Sequence, residues 1–195
     1  NLDGSMELLD GVFEQGINTF DSSSIYGGGD CDRAFGQWVA SRGIREKIVM
    51  LDKCAHHNAD RQRVTPFDIT ADLHDCLARL GFDHIELFVL HRDNPEVPVG
   101  PIVEVMNEHI NAGLISAWGG SNWTYQRVAA ANEYAAEHDL VPMTISSPHF
   151  SLAEMIEEPW GNCVSIAGPS GAEARQWYAD HDVALREAAR RVIEL

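Results

Sequence analysis

Four residues in this sequence have side chains that could work together on a carbonyl group: Asp21, Tyr26, Lys53 and His91. Free tyrosine is a weak acid with a pKa of about 10, but a lysine ammonium beside the ring favours the phenolate. An aspartate next to the lysine would keep it charged and in place, and a histidine can orient a carbonyl oxygen. Such a set would protonate or stabilise an oxygen that gains negative charge, as happens when a hydride reaches its carbon.

Asp21, Lys53 and His91 each follow a segment whose pattern is typical of a buried strand. Strand candidates lie near residues 17, 47, 85, 114 and 141, a weaker one covers residues 163–167, and helical patterns alternate with them. Crossovers of helix length imply parallel strands, and nearly continuous apolar strands imply a sheet covered on both faces. Polar residues follow several strand ends at intervals of about thirty residues. This favours an α/β fold of the (β/α)8 (TIM barrel) type over an open sheet with one switch point.

Four motifs, in the right order, resemble those of the aldo-keto reductases. Residues 16–27 read GINTFDSSSIYG and resemble the family's G-x-N-x-F-D-T-A-x-x-Y-G. Lys53 ends the next predicted strand, as the family's lysine does. Residues 85–91 resemble D-L-x-x-x-H, and residues 120–122 resemble the family's G-x-S-N. The resemblance runs from about residue 16 to residue 149.

This resemblance implies a role for each residue of the first set. Tyr26 would be the general acid, Lys53 and Asp21 would tune it, and His91 would orient the substrate. The implied reaction is the reduction of an aldehyde or ketone, with a small-molecule carbonyl compound as the partner. Three tryptophans are candidates for an aromatic pocket suited to sugars or ring-bearing carbonyls, or for packing against helices: Trp118, Trp123 and Trp160.

The resemblance also implies a nicotinamide cofactor, NADP(H), with NAD(H) left open. Ser121 and Asn122 would contact its carboxamide, although they could also cap the helix that follows. His149 stands where the family usually places a glutamine that holds the same carboxamide. An imidazole cannot copy the paired donor and acceptor of an amide. Asp21 completes the predicted cofactor site.

A complete barrel of this type has eight strands and roughly 250 residues, whereas this sequence has 195. The first strand is therefore expected before Asn1 and the last two after Trp177, so that the chain would be a single but partial barrel domain. Residues 183–195 carry apolar side chains at helical spacing, which predicts an amphipathic helix there. Residues 178–195 lie beyond the resemblance and could follow a deletion or a gap in the chain.

Composition argues against several classes of partner. The chain has 14 Lys and Arg against 30 Asp and Glu, a net charge of −16, which disfavours nucleic acids and anionic membrane surfaces. No apolar run is long enough to span a bilayer. Four widely spaced cysteines (Cys31, Cys54, Cys76 and Cys163) are typical of reduced thiols in a cytoplasmic protein. The sequence leaves the oligomeric state open.

Two other classes of protein would use some of the same residues. A metal-dependent hydrolase or isomerase needs three or four ligands that converge. The candidate ligands are Asp21, Asp52, Cys54, His56, His57, His91 and His149. The other class is a non-catalytic cofactor-binding subunit of a larger assembly. The histidine at position 149 favours this class, while the intact catalytic set argues against it. The preferred interpretation, the reductase, uses no metal.

Overall fold

The computed structural model describes residues 2–185, and its centre is one parallel sheet whose six strands lie side by side in chain order. The strands are β1 (Thr19–Asp21), β2 (Val49–Cys54), β3 (Ile85–Leu90), β4 (Ile115–Ser121), β5 (Ile145–Ser147) and β6 (Ala184–Leu185). An unbroken sequential order of parallel strands, each connected by a crossover, is that of consecutive strands in a (β/α)8 barrel. The predicted fold class, an incomplete barrel, is therefore confirmed.

Helices alternate with the strands and cover the outside of the sheet. They are α1 (Leu2–Glu14), α2 (Asp30–Arg42), α3 (Pro66–Leu80), α4 (Val99–Asn111), α5 (Tyr125–Glu137) and α6 (Ala172–Asp180). Their ends follow local signals, as α3 shows. Thr65 accepts a hydrogen bond from the Asp68 amide at 3.3 Å, Pro66 occupies the first turn, and Gly81 ends the helix with a φ of +67°.

Two predicted elements at the end of the chain differ in the structure. Residues 163–167 do not form a strand, because their pairing is limited to a single parallel bridge between Ser165 and His149. Pro148, directly before the bridge, has no N–H to donate, and Gly168 and Pro169 follow the segment. The ladder is therefore not extended in either direction.

The helix predicted for residues 183–195 is wrong at residues 184–185, which form strand β6. Its ladder starts from the Ala184 amide, which donates to the Thr144 carbonyl oxygen at 2.8 Å, and it pairs with β5. Edge pairing with β5 overrides the helical spacing of the apolar side chains. Residues 186–195 lie outside the described part of the chain. Within residues 2–185, one of the two strands that were expected after Trp177 is thus present.

Helix α2 approaches the end of α3 at a glycine. A Cβ atom added at Gly36 would lie 2.1 Å from the backbone carbonyl oxygen of Leu80, closer than atoms can pack without displacement. We expect Gly36→Ala to lower the free energy of unfolding by about 1–3 kcal/mol, measured by urea denaturation. Gly11→Ala in α1 is the control, since nothing lies within 4 Å of its added Cβ. A Gly36→Ala protein as stable as the wild type would contradict this prediction.

No helix within residues 2–185 combines the length and the apolar character needed to cross a bilayer. All four cysteines are free thiols, of which Cys31 is exposed and the others are buried. The location of the protein in the cell stays a prediction.

Candidate active site

Lys53 lies at the centre of the predicted catalytic set, at the carboxyl end of β2. Its Nζ donates to Asp21 Oδ1 at 2.6 Å, to the Ser22 carbonyl oxygen at 2.7 Å and to Tyr26 Oη at 3.2 Å. The lysine is only 2% exposed, and a buried ammonium is tolerated when it is paired and hydrogen-bonded. The fold therefore brings together three residues that are up to 32 positions apart in the sequence.

The loop after β1 positions Tyr26 over the lysine. The Ser22 amide donates to the Leu51 carbonyl oxygen at 2.9 Å, and the Ser24 amide donates to that of Lys53 at 3.0 Å. The chain then turns through a 3-10 helix, Tyr26–Gly29, whose second and third residues have left-handed backbone conformations that favour glycine. This turn starts α2 and fixes the position of the tyrosine, which stays 37% exposed.

His91 completes the set from the neighbouring strand end. Its amide donates to the Cys54 carbonyl oxygen at 2.7 Å, which extends the pairing of β3 with β2. Its Nδ1 lies 2.9 Å from Ser23 Oγ, and its ring meets that of Tyr26 edge to face at a centroid distance of 5.8 Å. Ser23 thus orients the imidazole, a function that the sequence analysis did not assign to it.

The predicted cofactor residues lie at the ends of β4 and β5. Ser121 Oγ donates to the Ser147 carbonyl oxygen at 3.2 Å, and Asn122 Nδ2 lies 3.2 Å from Ser121 Oγ. Neither residue caps the next helix, because Thr124 does so through its own side chain. His149 Nδ1 lies 3.0 Å from Ser165 Oγ.

A single cavity of about 370 Å³ joins the two predicted groups. Its wall includes Tyr26, Lys53 and His91 as well as Ser121, Asn122 and His149. Asp21, which was predicted for both groups, is not part of this wall and is connected to it through its ion pair with Lys53. The cavity is also lined by His56, which the sequence indicated only as a candidate metal ligand, and by Arg92. Burial lowers the pKa of His56, whose ring centroid lies 4.9 Å from that of His91.

The predicted aromatic pocket is only partly formed. Trp118 and Trp123 are wholly buried in the hydrophobic core, where their Nε1 atoms donate to the backbone oxygens of Val141 and Arg92. They belong to the buried core and do not line the cavity. Trp160 does line it and is 45% exposed.

A buried acidic cluster lies behind the lysine. Potential ligand atoms of Asp32, Asp52 and Cys76 all lie within 4.8 Å of one another. Both carboxyls are fully buried, and the Oδ2 atom of each has no hydrogen-bond partner in the part of the chain that the structure describes. Burial, together with the nearby charge of Asp32, raises the pKa of Asp52 to about 7. Burial also raises the pKa values of Asp32 and of the Cys76 thiol.

This cluster is connected to the predicted catalytic set through two residues. The Lys53 amide donates to Asp52 Oδ1 at 2.8 Å, and the Ser22 hydroxyl donates to Asp32. Within residues 2–185 it is the one group of three or more possible metal ligands that converges. Of the seven ligands predicted for a metal-dependent hydrolase, it contains only Asp52, so that predicted set does not come together.

Comparison with known proteins identifies similar chains. The sequence model of the Aldo/keto reductase family matches residues 1–159. Aldo-keto reductase YhdN of Bacillus subtilis is 29% identical over 146 residues, which is 71% of this chain and 43% of that protein. An aldo-keto reductase of Fusarium vanettenii is 25% identical over 159 residues, 68% of this chain and 43% of that protein.

A third relative has a different name. A probable voltage-gated potassium channel subunit beta of Oryza sativa subsp. japonica is 27% identical over 148 residues, which is 74% of this chain and 45% of that protein. The matched region therefore spans about half the length of these curated relatives.

Proposed function

Because this chain belongs to the aldo/keto reductase family, we propose that the protein reduces an aldehyde or ketone with NADPH and that Tyr26 is the general acid. One observation carries this proposal. Lys53 Nζ lies within hydrogen-bond distance of both Tyr26 Oη and Asp21 Oδ1, at the wall of a cavity that also holds Ser121 and Asn122. An ammonium in this position stabilises the phenolate that proton donation leaves behind.

The residues at the ends of β4 and β5 fit a nicotinamide carboxamide in their chemistry. Such a group presents one N–H₂ donor and one carbonyl acceptor, and Ser121, Asn122 and His149 together offer hydroxyl, amide and imidazole groups of both kinds. When bound, the cofactor supplies a hydride. The choice of NADP(H) over NAD(H) rests on family resemblance.

The protein's own residues would provide the proton. Tyr26 Oη would donate to the substrate oxygen as negative charge develops there, and the Lys53 ammonium, held by Asp21, would face the resulting phenolate. His91, oriented by Ser23, would donate to the same oxygen and fix its position. Since Lys53 is almost fully buried, its charge acts with little screening by water.

The proposal is tested by titrating the purified protein with NADPH and with NADH and then measuring carbonyl-dependent oxidation of the bound cofactor. We expect saturable binding of NADPH, weaker binding of NADH, and oxidation once a panel of aldehydes is added. If neither cofactor binds, the proposed function is wrong.

Binding without turnover would support a second candidate, a non-catalytic cofactor-binding protein. The observation that favours this candidate is the similarity to a protein named as a probable potassium channel subunit beta. The buried Lys53 and its contact with Tyr26 favour the reductase, because binding a cofactor does not require a paired acid.

The residue at position 149 gives a prediction about cofactor affinity. Because His149 Nδ1 contacts Ser165, its imidazole has one nitrogen left for a carboxamide, whereas a glutamine amide offers a donor and an acceptor. We expect His149→Gln to lower the Kd for NADPH by about fivefold, the equivalent of one net hydrogen bond. Ser165→Ala is the control that removes only the contact. An unchanged or higher Kd for His149→Gln would contradict the prediction that a glutamine holds the carboxamide better than His149 does.

A further inference from the structure

Arg92, which directly follows His91, lines two adjoining cavities. One is the cavity of about 370 Å³ that contains Tyr26 and Lys53, and the other is a larger cavity of about 660 Å³ beside it. Asn122 is the other residue common to both. A molecule that reaches the tyrosine from the larger cavity therefore passes the guanidinium of Arg92.

Arg92 differs from most other described arginines, because no carboxylate within residues 2–185 forms an ion pair with it. Seven of the nine arginines within residues 2–185 form an ion pair with an aspartate or glutamate: Arg33, Arg42, Arg45, Arg61, Arg63, Arg79 and Arg127. Arg175 donates from Nη1 to two backbone carbonyl oxygens. Arg92 donates only to the carbonyl oxygen of His91, at 2.9 Å, and its buried Nε has no partner among the described residues.

The surroundings of Arg92 hold it in place without neutralising it. The Trp123 indole donates to its carbonyl oxygen at 3.3 Å, and its guanidinium carbon lies 5.8 Å from the centre of the Trp160 ring. Burial lowers the pKa of Arg92, which reflects loss of hydration. The neighbouring Asp93 is already paired with Arg127. A positive charge that has lost water and has no partner is stabilised by an incoming anion.

We infer that Arg92 binds a carboxylate on the substrate, so that the protein acts on carbonyl compounds that also carry an acid group. The guanidinium presents planar donors that match a carboxylate, and its position between the cavities sets the acid group apart from the carbonyl held at Tyr26. The inference rests on the proposed reductase function for the carbonyl end of the molecule. It adds an anion-binding subsite that decides among substrates.

The test compares 4-carboxybenzaldehyde with its methyl ester, a neutral molecule of similar shape. We expect the wild type to prefer the acid, and Arg92→Ala to lower kcat/KM for the acid about 10- to 100-fold while the ester changes less than about twofold. Arg92→Lys keeps the charge but loses the planar fork of the guanidinium. Its kcat/KM for the acid should therefore lie between that of the wild type and that of Arg92→Ala. Arg33→Ala, which removes an exposed arginine paired with Asp30, is the matched control.

A second measurement separates this inference from the proposed function. Terephthalate has two carboxylates and no aldehyde, and its binding can be followed through the fluorescence of Trp160, a neighbour of Arg92. Terephthalate binding that Arg92→Ala abolishes would support the subsite even if no aldehyde is reduced. Equal kcat/KM values of the acid and the ester in the wild type would overturn the inference and leave the reductase intact. A weaker NADPH affinity in Arg92→Ala would also overturn it, because the arginine would then hold the cofactor.

Discussion

Tyr26→Phe is expected to lower kcat for carbonyl reduction by about 10²- to 10⁴-fold, the usual contribution of a general acid, with little change in the Kd for NADPH. The substitution removes only the hydroxyl, which lies 3.2 Å from Lys53 Nζ. The ring keeps its edge-to-face contact with His91, so that the cavity retains its shape. Single-turnover reduction of the aldehyde, measured with the cofactor already bound, reports this loss directly.

A matched control comes from a tyrosine far from the site. Tyr134 on α5 donates its hydroxyl to Glu104 at 2.5 Å on the surface, and Tyr134→Phe should leave kcat unchanged. Should Tyr26→Phe reduce aldehydes at the wild-type rate, another group must deliver the proton, and the assignment of Tyr26 would be wrong. Loss of NADPH binding in Tyr26→Phe would instead point to a structural role for the hydroxyl.

Asp52→Asn is expected to make the protein more stable than the wild type at high pH and to lose that advantage at low pH. The folded state holds the Asp52 proton more tightly than the unfolded chain, since its pKa is raised from 3.8 to about 7. The stability from this group is fully present below pH 3.8 and is lost as the pH rises through about 7. An asparagine amide does not ionise, so the variant does not lose this stability as the pH rises.

Urea unfolding of both proteins at about pH 4 and about pH 8 measures the effect. The free energy of unfolding of the variant relative to the wild type should be about 2–4 kcal/mol higher at the higher pH than at the lower pH. Asp10→Asn is a control of opposite sign, because Arg42 holds the pKa of Asp10 down at about 2. Removal of the Asp10 carboxylate should therefore destabilise the protein near neutral pH and matter less in acid. If the difference in free energy of unfolding between Asp52→Asn and the wild type does not change with pH, the prediction is contradicted.

The proximity of the predicted catalytic residues could be expected from the sequence because the signals are local. Asp21, Lys53 and His91 each end or follow an apolar strand, and parallel neighbours place such residues at one edge whatever the details of the helices. The exact pairing of β2 with β3 was not needed to expect that Lys53 and His91 lie near each other. Their roles in catalysis stay predictions until the variants are measured.

Features that depend on contacts between distant elements could not be predicted in this way. Asp32 is in α2 and Cys76 in α3, and nothing in the spacing of either indicates that both lie beside Asp52 on β2. The burial of Trp118 and Trp123 likewise depends on how helices cover the sheet. Residues 184–185 carry a helical pattern, and only the exposed edge of β5 makes a strand the better solution.

The three hydrogen bonds of Lys53 have a further consequence. An ammonium has three N–H groups, and here Asp21, Ser22 and Tyr26 accept from Lys53 Nζ. While all three contacts are made, no further position on the nitrogen is directed at the cavity, which disfavours nucleophilic attack by this side chain. A carbonyl compound that entered the proposed site would therefore be expected to meet a fixed charge and not to condense with an amine. The same fold could not form an imine with its substrate unless Lys53 first gave up these acceptors.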